Sequence, residues 1–161
     1  MTFTHLDSSG HARMVDVTEK NPTVRTATAR GRVRCSPELV HTLREGDVPK
    51  GDVLAVARVA GIAGAKRTPE LLPLAHVIGV HGVSVDVVVE DDGVAITATV
   101  RTADRTGVEM EALTAVSIAA LNVVDMVKGL DRSVTITDVE LVAKSGGRSG
   151  EWRRPEKEDA Q

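Results

Sequence analysis

Tyrosine is absent from this chain, and among 161 residues there is one phenylalanine and one tryptophan. A core without rings has to be filled by smaller side chains, and Val, Ala, Leu and Ile supply it. These compact residues suit close packing of helix on sheet. Cysteine is nearly missing too. Cys35 stands alone, which excludes an intrachain disulfide and a cysteine zinc cluster. An excess of positive charge is lacking, because the formal net charge is −3 and the pI about 5.9. No general basic field therefore draws the chain to nucleic acid. The N-terminus has no basic-then-apolar leader pattern, and no run of ~20 unbroken apolar residues offers a membrane span. These absences predict a soluble, cytoplasmic protein, and the length fits one compact domain.

What is present is ordered. Residues 1–13 are polar and read as a flexible segment. Residues 14–144 read as one α+β domain, and residues 145–161, Gly-rich and then charged, as a mobile tail. Alternation of apolar and polar residues predicts a strand over 23–34. Ser36-Pro37 opens a short helix that Gly46 stops. A second helix follows over 52–66, with Gly61 and Gly64 placed for close approach of another backbone. Thr68-Pro69 starts one further turn, broken at Pro73. Strands are expected over 77–90 and 94–102, joined by an Asp91-Asp92-Gly93 hairpin turn. A long apolar helix runs from 107 to 128, where Gly129 ends it, and a last strand covers 133–142. Strands and helices in this order predict an antiparallel sheet with helices packed on one face.

The long helix holds the most telling charges, since charged groups among Ala, Val, Leu and Ile are costly unless paired or used. Thr106-x-x-Glu109 has the form of a capping box, which gives Glu109 a structural reading. Glu111 lies about 200° further round the helix and is not explained that way. From Glu111, steps to Thr114, Asn122 and Asp125 keep to one polar line on an otherwise apolar helix. Such a line meets a site, an interface or solvent. Asp125 and Lys128 are three apart and can pair, which is also a common surface arrangement. His76 sits between Pro73 and a strand, where a structural role is more common than a catalytic one. His76 and His81 invite a metal reading, but their spacing fits no ligand pattern and no acidic partner adjoins them. Lys50 precedes a helix start, where backbone N–H groups and an ammonium suit a phosphate. Lys144-Ser-Gly-Gly-Arg-Ser-Gly150 has the look of an anion-cradling loop without phosphate-loop spacing.

Taken together, these blocks resemble the molybdenum cofactor biosynthesis protein C family, the cyclic pyranopterin monophosphate synthases. The matching blocks are Met14-Val-Asp-Val17, Lys50-Gly-Asp-Val53, Ala57-Arg-Val-Ala-Gly-Ile62, Ala65-Lys-Arg-Thr68, Leu72-Pro-Leu-Ala-His76, Thr106 to Val116, Asp125-Met-Val-Lys128 and Lys144 to Gly150. The resemblance implies a ferredoxin-like fold and a homohexamer built as a trimer of dimers, with sites at the dimer interface. It implies a lyase that rearranges a cyclised dihydro-GTP into cyclic pyranopterin monophosphate and releases diphosphate. Carried over by motif, Asp125, Lys128, Lys50 and His76 are the expected catalytic residues, with Asp125 the acid. Leu74, Ala75, His76, Met110, Glu111, Glu109 and Lys50 are expected to bind substrate. No cofactor and no protein metal site are expected, though Mg²⁺ can accompany the triphosphate. Partners are the small-molecule substrate and further copies of the chain, with no nucleic acid and no membrane. Two departures stand out. Ala75 and Val77 replace the usual Cys and Pro, and Val124 stands where the family often has Tyr. The rival readings are a non-catalytic nucleotide-binding module and a metal-dependent hydrolase built on His76 and His81.

Overall fold

A computed structural model describes residues 4–155. The elements follow in the order β1 (Thr23–Arg34), α1 (Pro37–Glu45), α2 (Val53–Lys66), α3 (Thr68–Leu71), β2 (Gly82–Glu90), β3 (Gly93–Asp104), α4 (Glu109–Val127), β4 (Thr135–Ser145) and β5 (Trp152–Arg153). The strands form one antiparallel sheet in the order β2-β3-β1-β4-β5. Its first four strands have the ferredoxin-like order, and β5 is an added edge.

Alternation decides which face is buried. Ala27, Ala29 and Val33 of β1, with Val94, Ile96, Ala98 and Val100 of β3, point into the core, as do Val85 and Val87 of β2. Thr28, Arg30, Arg32 and Thr97 lie on the other face, where Arg30 pairs with Glu140, and Arg32 with Glu90 and Asp92. The helices cover the apolar face. α4 packs against β1, β3 and β4, and α2 lies beside it, against β2. Glycine makes this approach possible. A Cβ on Gly61 would meet the Ala115 carbonyl oxygen at 2.9 Å, and one on Gly64 would meet Ile118 at 2.8 Å. Small residues on both helices thus replace the missing aromatic bulk. α4 is long and apolar enough to cross a membrane by length and composition, yet more than half of it is buried, as befits a core helix.

Several boundaries differ from the expectations. The strand expected from 77 begins at Gly82. Gly79 is held instead by the Asp104 carboxylate, which accepts its N–H at 3.1 Å, and Val77 is 88% exposed. The capping box at Thr106 does not form. α4 begins at Glu109 with Val108 at its N-cap and no side-chain cap. The Glu109 carboxylate folds over Gly107 toward Lys144. Residues 145–155 were expected within a mobile tail. They turn through Gly146, Gly147 and Gly150, all at positive φ, and β5 pairs with Ala143 and Lys144. In the N-terminal segment, Asp7 accepts from the backbone of Ser9 and His11 and closes a turn. Residues 1–3 and 156–161 of the two expected flexible ends lie outside the described residues.

Candidate active site

Chemistry-bearing side chains gather at the two ends of α4. At the N-terminal end a cavity of about 560 Å³ is lined by Leu74, Ala75, His76, Glu109, Met110 and Glu111, the residues expected to contact substrate. Its volume suits a nucleotide-sized ligand. Three segments build it: the loop after α3, the first turn of α4, and the N-terminal segment, through Val15, Val17 and Lys20. The sequence alone gives the Met14-Val-Asp-Val17 block no role. Its backbone supplies one, because the Val15 carbonyl takes a hydrogen bond from His76 Nε2 at 2.5 Å. A carbonyl only accepts, so Nε2 carries the proton and Nδ1 is the basic nitrogen of the neutral ring.

Glu111 is 3% exposed. Burial, reinforced by the neighbouring Glu109 charge, pushes its carboxyl up from 4.5 to about 7. It holds its proton well above the ordinary carboxylate range, so a substantial share of it is protonated near neutral pH. Glu109 itself is drawn to Lys144, with 3.1 Å between Nζ and Oε1. Lys144 thus links the start of α4 to the glycine loop after β4. Beyond that loop, Lys20, Arg25 and Arg148 line an adjoining cavity of about 740 Å³. Sequence reasoning gives no individual role to Lys20 or Arg148. Only the loose anion-loop pattern around Arg148 hinted at it.

At the C-terminal end Asp125 lies between two lysines. Lys128 Nζ is 2.6 Å from Oδ1, and Lys50 Nζ donates to the Asp125 carbonyl at 2.8 Å and approaches Oδ2 at 3.6 Å. The hydrogen bond and charge of Lys128, then the charge of Lys50, hold the Asp125 carboxyl below its usual range. The cluster is exposed, so the pairing itself adds little to stability. Lys50 does not serve the start of α2. Asp52 caps that helix, accepting from Ala55 N–H at 3.0 Å, so an anion there would meet a carboxylate.

The fold therefore brings His76, Glu109, Glu111, Met110, Leu74 and Ala75 together, and separately Lys50, Asp125 and Lys128. It does not join the two groups within one chain. Fourteen residues of helix separate Glu111 from Asp125, ~21 Å at ~1.5 Å per residue. His81 belongs to neither group. Its Nδ1 accepts from the backbone of Ala103 at 3.3 Å, a structural role. Among the described residues no three His, Cys, Asp or Glu side chains converge as metal ligands.

Comparison with known proteins identifies a family. The model of the MoaC family matches residues 14–147. A cyclic pyranopterin monophosphate synthase of Streptomyces griseus is 62% identical over 160 residues, covering 98% of this chain and 90% of that protein. One from Chloroflexus aurantiacus is 56% identical, covering 95% of each chain. One from Pelobacter propionicus is 53% identical, covering 97% of this chain and 99% of its own.

Proposed function

We propose, because this chain belongs to the MoaC family, that it converts a cyclised dihydro-GTP into cyclic pyranopterin monophosphate and diphosphate in molybdenum cofactor biosynthesis. Identity of 62% along nearly the whole chain to a protein named for this product carries the reading. Atoms balance as an isomerisation with loss of diphosphate. The purine-derived rings open and reclose, the bond from the α-phosphorus to the diphosphate breaks, and a cyclic phosphate closes. No electron leaves the substrate, so no redox cofactor is required, and Mg²⁺ would serve only to escort the triphosphate.

Each side chain has a role in this reaction. Leu74, Ala75 and Met110 give the rings an apolar wall. His76 offers Nδ1 as a base. Glu111, whose raised pKa lets it hold or release a proton near neutral pH, can donate. Asp125 was expected as an acid, but between two lysines it rests ionised. It therefore takes up a proton before it gives one, with Lys128 as its hydrogen-bonded partner. Lys50 and Lys128 also offset the charge that grows on the departing diphosphate. Because the two groups lie ~21 Å apart along one helix, one site needs two chains. The assembly we propose is a homohexamer of three dimers with sites at each dimer interface, in the cytoplasm. Incubating the purified chain with the cyclised dihydro-GTP tests the activity. Cyclic pyranopterin monophosphate and diphosphate in equal amounts are expected. Substrate bound but recovered unchanged would replace this reading with a non-catalytic nucleotide-binding module.

A further inference from the structure

His76 sits in a stretch with no ladder of its own. Residues 72–81 lie outside helix and strand, and so do residues 13–22, which supply the Val15 carbonyl that accepts from His76 Nε2. Backbone of this kind takes its position from the groups that fasten it. Both stretches are fastened at one place, the end of β3. The Asp104 carboxylate accepts the Gly79 N–H at 3.1 Å, three positions after His76. The Thr102 hydroxyl donates to the Gly79 carbonyl, and the His81 ring covers the same glycine, 3.1 Å from where a Cβ would stand. Just beyond β3, Arg105 donates from Nε to the Lys20 carbonyl at 2.9 Å, five positions after Val15. Arg105 is held in turn. Its N–H donates to Asp104 Oδ1 at 2.7 Å, and its carbonyl accepts from Arg25 Nη2 at 3.2 Å.

These contacts close a circuit. It runs from Asp104 through Gly79 to His76, across the hydrogen bond to Val15, along the segment to Lys20 and back to Arg105. The stretch between Val15 and Lys20 is stiffened by its own turn. Asp16 accepts from the Thr18 N–H at 2.9 Å and from its hydroxyl at 2.6 Å, and the Lys20 N–H donates to the Val17 carbonyl at 3.0 Å. We propose that Arg105 is a positioning residue for His76, acting with Asp104: together they set the separation of the two segments that meet at the His76–Val15 hydrogen bond. The proposal rests on the reading of His76 as a proton carrier. Neither Asp104 nor Arg105 is among the residues lining the cavity, so each acts through the backbone it holds. The consequence is chemical. The Val15 carbonyl keeps the proton on Nε2 and leaves Nδ1 as the base. A loosened segment frees Nε2, lets the ring turn and misplaces that base. Asp104 suits this duty, because the N–H groups of Arg105 and Gly79 hold its carboxyl below the usual range and keep it an ionised acceptor.

The ring N–H of His76 reports the circuit. In a chain isotope-labelled at the histidine nitrogens, a hydrogen-bonded Nε2–H exchanges slowly with water and gives a proton resonance, assigned by its loss in His76→Gln. Arg105 is exposed, and Arg105→Ala should melt with the parent. It should lose the His76 N–H signal, exchange the amides of residues 14–20 faster, read by mass spectrometry, and lower kcat ~10-fold or more. Arg105→Lys keeps a donor for the Lys20 carbonyl and should recover part of all three. Asp104→Ala should lose the same signal from the other end of the circuit. A parental His76 signal with parental exchange in Arg105→Ala would overturn the proposal. So would a lowered melting temperature with faster exchange throughout the chain, unrescued by Arg105→Lys, which would make Arg105 a residue of the fold alone. Should the parent turn over no cyclised dihydro-GTP while Arg105→Ala still loses the signal, the reaction falls and the positioning of the ring stands.

Discussion

Glu111 is a carboxylic acid placed where its charge is expensive. The unfolded chain releases this proton near 4.5, whereas the folded chain holds it to about 7. The native state therefore binds more protons across that interval. Its stability falls as pH rises from about 4.5 to about 7 and levels above, by up to ~3 kcal/mol for this one group. Glu111→Gln, of similar shape and uncharged, should flatten that slope. Urea unfolding at pH 5 and pH 8 checks it; equal slopes with and without Glu111 would contradict the burial argument. Asp125 is the opposite case, exposed and held ionised by Lys128 and Lys50. Asp125→Asn and Lys128→Ala should fold as the parent does and lose ~100-fold or more in kcat, the size of a lost proton carrier. Near-parental turnover in both would remove them from the chemistry. Lys50→Ala should weaken inhibition by added diphosphate, read as a higher Ki. The sequence exposed these side chains because charge on an apolar helix needs a reason. It could not rank them. Glu111 was one of two nearby carboxylates until burial and the Lys144 pairing of Glu109 told them apart.

Elements show the same division between what is local and what is not. The helix starts at Ser36 and Asp52 follow from short-range chemistry, and both side chains cap as their residue types predict. The antiparallel sheet with helices on one face followed from alternation and element order, whereas its ferredoxin-like strand order came only from the family resemblance. The errors lie where a distant group wins. Lys144, brought up by β4, takes the Glu109 carboxylate that a capping box would have used. Asp104, at the end of β3, holds the Gly79 backbone and delays β2. β5 is two residues long and exists because β4 offers it an edge, which no local pattern announces. The glycines of α2 were legible as close-approach positions, and their partners Ala115 and Ile118 became known only from the packing. Gly61→Ala should therefore destabilise the fold by ~1–3 kcal/mol despite the better helix propensity of Ala, since a backbone oxygen cannot rotate away. Ala63→Gly, on the exposed side of the same helix, should cost only ~1 kcal/mol. Thermal melts of the two variants compare them, and a neutral Gly61→Ala would mean that the helices can separate without penalty.

At the scale of the molecule, the proposed shared site makes one chain half of a working unit. Its cavity beside His76 and Glu111 and its Lys50-Asp125-Lys128 cluster stand at opposite ends of α4, and a stiff helix cannot fold them together. Sequence spacing already carried this conclusion, because a helical pattern fixes the distance between two of its residues. The scarcity of aromatic bulk suits this helix, whose small side chains let it lie close to α2 and the sheet. Complementation tests the shared site most directly. Glu111→Ala and Asp125→Asn chains, each inactive alone, are mixed in equal amounts under conditions that exchange subunits, with exchange verified by mass. Half of the dimers are then mixed, and each mixed dimer holds one site with both native groups and one with neither. Turnover of the cyclised dihydro-GTP should return to about one quarter of the parental rate per chain. No recovery after verified exchange would place both residues within single chains, or make one of them structural, and would contradict a site built from two copies.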